Sequence, residues 1–134
     1  MSIQLSTAIR NARLNQVEVI AGASAKLQLR TGAPPSDCVA ADSGSLLVEM
    51  VLPADWMADA ASGTKAKAGT WSGTAVGAGV AGHFRIKDNA GTTTHVQGTV
   101  GMTGGSEDMI VDNTNIAVTQ TVLVNTFVLT DGNP

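Results

Sequence analysis

The chain has 134 residues, 43% of them hydrophobic, and a formal net charge of −3. This length predicts one domain, and the weakly negative charge provides no basic surface for nucleic acid or for an anionic membrane. Aromatic residues make up 3% and charged residues 14%, so we expect an aliphatic core and a surface rich in small polar residues. Such a neutral surface suits close packing against other protein, although it also occurs in plain secreted β domains.

Membrane and secretion signals are not predicted. The sequence has no run of about 18 apolar residues, and its amino terminus lacks the basic and apolar regions of a signal peptide. We therefore expect the chain to be made in the cytoplasm. The single Cys38 excludes an internal disulfide framework. Its place in a Pro-rich loop favours an unremarkable thiol over a nucleophile or an intermolecular bridge.

The first predicted element is a helix over residues 7–21. Ser6 can cap its start, no Pro or Gly interrupts it, and Gly22 is placed for a left-handed C-cap. One side is a modest apolar stripe, interrupted by Gln16, that consists of Ile9, Ala12, Gln16, Val17 and Ile20. The opposite side consists mostly of Arg10, Asn11, Asn15 and Glu18. The helix is either a lid over one end of the sheet or an arm that docks on a neighbouring subunit.

Two strands and a long connection follow the helix. Lys26 to Arg30 alternates in polarity and predicts a strand with Leu27 and Leu29 inward. Residues 45–52 are apolar except for Glu49, which fits a strand covered on both faces or buried at a subunit contact. Pro53 ends that strand. Residues 54–67 predict an irregular connection with a helical turn at 55–61.

The clearest signal is a hairpin over residues 82–100. Phe84 and Ile86 alternate with charged residues, and Val96 and Val100 alternate with polar ones. A three-residue loop, 89–91, with Gly91 left-handed, would place Phe84 opposite Val96. A four-residue loop would put Val96 on the wrong face, so we predict the shorter loop.

The remaining sequence predicts short strands. Residues 70–80 alternate small side chains, and 108–111 and 116–118 are predicted as short strands. The last strand is predicted over 121–130, with a bulge near Asn125 that brings Val122, Val124, Phe127 and Leu129 inward. Residues 131–134 are a polar tail. In total, one helix (residues 1–22, a lid or an arm) and a single β domain (23–134) of seven or eight strands predict a mainly β fold, an antiparallel β-sandwich or jelly roll.

Candidate reactive residues are few. In the predicted register His83 lies across from Gln97 and His95 across from Arg85, on an exposed polar face where the two imidazoles could share a metal. However, no carboxylate or thiolate follows at ligand spacing, so solvated side chains are favoured. The acidic patch does not match an EF-hand and is interpreted as a solvated loop rather than a weak cation site. The patch consists of Glu107, Asp108 and Asp112.

Enzymatic motifs are not found in the sequence. It has no GxSxG, Walker loop, GxGxxG or CxxC, and no nucleophile placed beside a base. Trp56 and Trp71 could stack on a sugar or a base, but we interpret both as core residues. The sequence therefore predicts a non-enzymatic protein with no catalytic, cofactor-binding or metal-binding residues and no cofactor.

The order of several segments resembles a known family. The chain contains STAIRNARLNQV, KLQLRTGAPPSD and LLVEMVLP, and then FRIKDNAGTTTHVQGTV and NTFVLTDGN. Together they resemble a family of small virion structural proteins of tailed bacteriophages, and the resemblance covers essentially the whole chain. It implies a protein that works by assembling on the virion and brings no active site with it.

Within that class, the expected function is that of a capsid decoration (cement) protein on the outer surface of the head. The expected partners are the major capsid protein and further copies of the chain in a dimer or trimer, without nucleic acid or membrane. Alternatives are a head–tail connector or tail component of the same virion, or a carbohydrate-binding domain of a fibre with Trp56 or Trp71 as its platform. A small hydrolase using Glu107, Asp108 or His83 is a distant fourth.

Overall fold

A computed structural model of the chain describes residues 3–132. This part of the chain contains one helix, α1 (Thr7–Ala21), and nine strands. The strands are β1 (Lys26–Thr31), β2 (Leu46–Val51), β3 (Thr64–Ala66), β4 (Ser72–Thr74), β5 (Gly79–Lys87), β6 (Thr94–Met102), β7 (Met109–Val111), β8 (Asn115–Ile116) and β9 (Thr121–Thr130). The strand order is β2-β1-β5-β6-β7-β9-β3, while β4 pairs with β9 and β8 pairs with β5.

The predicted mainly β fold with one helix is confirmed, but the sheet is mixed rather than antiparallel throughout. β6 and β7 run parallel, with Val100 paired to Met109 and Met102 to Val111. Parallel neighbours usually need a long crossover. Here the short link 103–108 is enough, because β7 has three residues and the chain returns along only that length of β6.

The sheet curls around one core. β4 pairs with β9, and the next residue, Ala75, bridges to Val48 of β2, so the two ends of the sheet approach each other. The enclosed core is largely aliphatic and contains a row of aromatic rings. Their successive centroids are 5.3 to 5.9 Å apart, and the rings belong to Trp56, Trp71, Phe127 and Phe84.

The predicted ends of the helix are confirmed. The Ser6 side chain accepts a hydrogen bond from the amide of Ile9 at 3.3 Å, and Gly22 adopts a φ of +87°. A Ser cap satisfies an amide that has no partner within the helix, and Gly takes a positive φ without a Cβ clash. The helix packs on the body through the side opposite the predicted apolar stripe.

The register of the hairpin was predicted wrongly, by two residues. Val96 pairs with Ile86, and Phe84 pairs with Gly98. The Asp88 carboxylate accepts hydrogen bonds from the amides of Thr92 and Thr93, which supports a longer turn. A bulge beyond Ile86 then restores the parity of the strands, so Val96 still lies on the inner face as predicted. Gly91 is left-handed as expected, with a φ of +75°.

The other elements follow the predictions unevenly. The last strand and its bulge are confirmed, because Val111 pairs with Val124 and Ile110 with Thr126, leaving Asn125 out of register. Residues 55–61 form no helical turn, β3 was missed, and the strand predicted over 70–80 is reduced to β4. β2 is fully buried only at Leu47, Val48 and Met50. Of the predicted tail 131–134, the last two residues lie outside the described part.

Candidate functional site

Helix α1 docks on the body through the side that carries its polar residues, and Leu14 is buried there as well. The Asn15 side-chain oxygen accepts hydrogen bonds from the amide of Ala60 and from the Lys65 ammonium, both at 2.9 Å. Lys65 is 1% exposed and also donates to the carbonyl of Ala58 at 2.9 Å. A buried ammonium needs such acceptors, because burial without them costs several kcal/mol. The loop between β2 and β3 and the strand β3 therefore hold the middle of the helix by polar contacts.

Glu18 completes this contact at the carboxyl end of the helix. Its carboxylate lies 3.2 Å from the Lys65 ammonium and accepts from the amide of Met57 at 3.1 Å. Burial raises the pKa of Glu18, but hydrogen bonds from Asp55, Met57 and Lys65 outweigh this and hold it below its ordinary value of 4.5. The hydrogen bond to Glu18, with the repulsion between the two charges, raises the pKa of Asp55.

The amino-terminal half of the helix is anchored in the same way. The Asn11 side-chain oxygen accepts from the amide of Gly63 at 2.9 Å. Arg10 donates to the carbonyl of Asp131 at 3.1 Å, and Arg13 pairs with the Asp131 carboxylate at 3.2 Å. The helix thus spans from the end of β9 to the loop before β3.

The apolar side of α1 consequently faces away from the body. Ile9, Val19 and Ile20 are 49%, 65% and 63% exposed, and Ala12 and Gln16 between them are exposed as well. Of the side chains in the predicted apolar stripe, only Val17 packs against the core. The opposite side docks because its polar side chains find backbone amides and a buried lysine on the body. The result is an apolar outer face of α1, defined by Ile9, Val19 and Ile20, held on a fixed element.

A second polar assembly lies under the loop 32–45, which folds over the outer face of β5. The Arg85 guanidinium is 1% exposed and donates to four oxygens of this loop. The acceptors are the carbonyls of Asp37, Cys38 and Ala40 and the carboxylate of Asp42. This satisfies both terminal nitrogens of the guanidinium and fixes the loop on the sheet.

Asp42 is the shared anion of this assembly. Its carboxylate lies 2.6 Å from Arg85, 2.6 Å from Lys87 and 3.3 Å from Arg30. Burial raises the pKa of Asp42, but the hydrogen bonds from Lys87 and Arg85 and the charge of Arg30 hold it below its ordinary value of 3.8. One carboxylate thus neutralises part of the charge of three cations.

A cavity of about 380 Å³ opens beside this ion cluster. Its lining includes Cys38, Asp42, Lys87 and the threonines 92–94. Cys38 is partly exposed here and has no histidine or second cysteine among these lining residues. The ammonium and guanidinium groups at the cavity are already engaged by the loop, so they hold the loop in place rather than form a reactive site.

The predicted arrangement of the two histidines was wrong. His83 is fully buried, pairs with Thr99 and Arg30 across the sheet, and contacts the carbonyl of Gly32 through Nδ1 at 2.9 Å. Because a carbonyl only accepts, Nδ1 carries the proton. His95 lies at the bulge and has no partner in the ladder to β5. The face predicted to be solvated is instead covered by the loop 32–45.

The tryptophans are core residues, as predicted. Both rings are fully buried, and Trp56 Nε1 donates to the carbonyl of Gly22 at 2.9 Å. Trp71 Nε1 donates to the carbonyls of Trp56 and Ala68 at 3.1 Å. In this conformation neither ring offers a face to a sugar.

The acidic patch is divided between two different contacts. Asp108 accepts from the amide and hydroxyl of Thr99 at 2.9 and 3.1 Å, and Asp112 accepts from the amide of Leu123 at 3.1 Å. Within residues 3–132, no group of three or more His, Cys, Asp or Glu side chains is placed to hold a metal ion. The same residues include no helix with the length and hydropathy needed to cross a bilayer.

Comparisons with known proteins identify no relative. No protein-family model, curated protein or solved structure matches the chain. Sequence patterning alone did not reveal the docked polar side of α1 or the covered face of β5. The nearest signal was the row of Asn and Glu at positions 11, 15 and 18, spaced along one side of the helix.

Proposed function

We propose that the chain is a non-enzymatic structural protein of a tailed-bacteriophage virion, a capsid decoration protein that bridges neighbouring major capsid subunits on the head. The observation that carries this proposal is the apolar outer face of α1. Three large apolar side chains are held in the open by a helix whose polar side is fully used on the body. Exposed apolar side chains fixed on a rigid element suit a protein contact.

The rest of the molecule supports an adhesive role. The polar contacts of α1 and of the loop 32–45 are structural, and the low charge lets many copies lie close together. A repeating capsid lattice would supply avidity, so each contact can be modest. We expect a dimer or trimer at a symmetry axis of the capsid, because closed symmetry is the rule for such assemblies.

The test uses particles that lack the protein and the purified chain added back to them. We expect the double variant Val19→Ser, Ile20→Ser to keep its thermal midpoint and to lose head binding by about tenfold or more, since both side chains are exposed in the free chain. Val118→Ser, also exposed but distant in sequence, is the matched control and should bind as wild type does. Equal binding by the double variant and the control would refute the role of the helix.

Copy number separates this proposal from its alternatives. A decoration protein should be present in hundreds of copies per virion, whereas a connector or tail ring would give about six or twelve. Quantitative mass spectrometry of purified virions measures this directly. The carbohydrate-binding alternative required Trp56 or Trp71 as an exposed platform, and both rings are buried.

A further inference from the structure

A gap in the sheet lies in line with β7. β6 runs from Thr94 to Met102, but β7 pairs only with its last three residues. Before that point β6 faces the end of β9 across a cavity of about 400 Å³. Its lining consists of Phe84, Val96, Gln97, Asp108, Phe127, Val128, Leu129 and Thr130. We refer to this cavity between β6 and β9 as the strand slot.

The width of the slot is set by β7. Since β7 is hydrogen-bonded to β6 on one side and to β9 on the other, the two outer strands are two strand spacings apart there, about 9.5 Å. The space that continues the line of β7 is therefore one strand wide. From Gly98 back to His95 it is roughly 10 Å long, which accommodates about three residues of an extended chain.

The β6 wall of the slot presents free backbone groups. The amide of Thr99 points towards β7, where the Asp108 carboxylate accepts it at 2.9 Å in place of a strand. Backbone groups alternate between the two edges of a strand. Gln97 therefore points its N–H and C=O into the slot, while Val96 and Gly98 bond to β5. Among the described residues, no strand pairs with this edge of β6 before Val100.

The β9 wall of the slot also presents free backbone groups. On the opposite edge, towards β3, the carbonyl of Phe127 accepts from the amide of Lys67, and the amide of Asp131 donates to Gly63. By alternation, Val128 and Thr130 point their N–H and C=O into the slot. Two strand edges thus face each other with unused donors and acceptors. Such edges readily accept an additional strand.

The floor of the slot defines the side chains that fit. The rings of Phe84 and Phe127 meet edge to face at 5.3 Å, and Val96 and Leu129 flank them. A strand in the slot would turn every second side chain onto this apolar floor. The ligand is therefore an extended segment with an apolar residue at alternate positions.

We propose that the strand slot binds such a segment of a partner protein, which adds to the sheet between β6 and β9. The identity of the donor, a major capsid subunit, rests on the proposed function, while the slot itself rests on the geometry alone. This contact is separate from the apolar outer face of α1 and supplies directional hydrogen bonds where that face supplies only apolar area.

The first test uses the synthetic peptide acetyl-Thr-Val-Thr-Val-Thr-Val-amide and the full chain labelled with ¹⁵N. We expect the amide signals of Gln97, Val128 and Thr130 to shift and their hydrogen exchange to slow by about tenfold or more on saturation. The proposal would be overturned if these amides already exchange slowly in the free chain. It would also be overturned if the peptide shifts the amide signals of a different surface. If the protection of these amides rises with protein concentration in the absence of peptide, the slot binds a second copy of the chain. The proposal of a different partner protein then fails.

The second test removes the slot-facing hydrogen bonds. Val128→Pro deletes an N–H that faces the slot and leaves the bonds to β3 intact, whereas Val128→Ala keeps it. We expect the Pro variant to bind the peptide about tenfold more weakly and the Ala variant to bind as wild type does. A peptide with N-methyl groups on alternate residues removes the complementary bonds, in which peptide N–H groups donate to the carbonyls of the slot. It decides the question if the Pro variant does not fold, and unchanged binding of this peptide would refute the slot.

Head binding separates the two proposals. If wild type and Val128→Ala bind undecorated heads and Val128→Pro does not, the donor is on the head. If Val128→Pro binds heads as wild type does, the capsid subunit is not the donor, and that part of the proposal fails. If wild type itself does not bind heads, the decoration function fails, while the peptide measurements still decide the slot.

Discussion

Arg85 and Asp42 form a 2.6 Å ion pair on the outer face of β5. The Arg85 guanidinium is fully buried, and two further cations share the Asp42 carboxylate. The pair links β5 to a loop 43 residues earlier in the chain. Without Asp42, the charges of Arg85 and Lys87 would remain buried. The acceptors left at Arg85 would be carbonyl oxygens of the loop. The covered face of β5 therefore depends on this one acid.

Replacing Asp42 by Asn should destabilise the fold. The substitution removes the carboxylate that pairs with both Arg85 and Lys87, and breaking a buried pair of this kind costs about 3 kcal/mol. Asp42 keeps 29% of its side chain exposed, so the lower end of the usual range applies. Urea unfolding measures the loss. Asp59→Asn, an exposed acid with the same change of charge, should stay within about 0.5 kcal/mol of wild type.

The same acid should make stability depend on acid pH. Burial raises the pKa of Asp42, and the cations around Asp42 lower it. The cations together have the larger effect, so the pKa in the folded protein lies below the ordinary 3.8. A lowered folded pKa contributes stability that is present above the unfolded pKa and lost as pH falls through the folded one. Unfolding free energy should therefore fall below about pH 4 more steeply in wild type than in Asp42→Asn. Parallel curves for the two proteins between pH 6 and about pH 3 would contradict this.

The bounds of the helix and strands were more predictable from the sequence than the sides that they bury. The helix bounds 7–21 and the last strand 121–130 follow from caps, glycines and alternation, which are local properties of the chain. The buried side of α1 could not be read from the same pattern. Its orientation depends on amides at Met57, Ala60 and Gly63 that face the helix only after the body folds. Tertiary hydrogen bonds thus overrode the apolar periodicity.

The candidate sites were likewise only partly predictable from the sequence. The apolar parity of the hairpin identified its inner face correctly, but nothing local indicated that a distant loop would cover the polar one. Arg85 and Lys87 are typical of an exposed strand face in the sequence, and only the position of Asp42 in the fold explains their burial. The strand slot is equally invisible in the sequence, because it arises from the difference in length between β6 and β7.

The docking of α1 gives a further prediction. Asn15→Ala removes the acceptor shared by the Ala60 amide and the Lys65 ammonium, and it should cost about 2 kcal/mol because both donors lose a partner in a partly buried contact. Gln16→Ala, the adjacent exposed residue, is the control and should change stability by less than about 0.5 kcal/mol. Hydrogen exchange of the α1 amides should accelerate in the Asn15 variant alone. Equal effects of the two substitutions would show that the polar side does not anchor the helix.

The close approach of Gly82 to Gly32 gives a graded series of glycine substitutions. A Cβ at Gly82 would collide with the backbone of Gly32, so Gly82→Ala should force the loop 32–45 away from β5 and cost about 3 kcal/mol. Gly32→Ala meets no atom but must adopt a φ of +79°, which costs about 1 kcal/mol. Gly132→Ala has open space and no positive φ, and it should be neutral.

Urea unfolding of the three glycine variants tests this order. The Gly82 variant should also lose protection of the His83 and Arg85 side chains from solvent, since the loop that covers them is displaced. A Gly82→Ala protein as stable as the Gly132 control would mean that the loop does not rest on β5. The burial of Arg85 would then need another explanation.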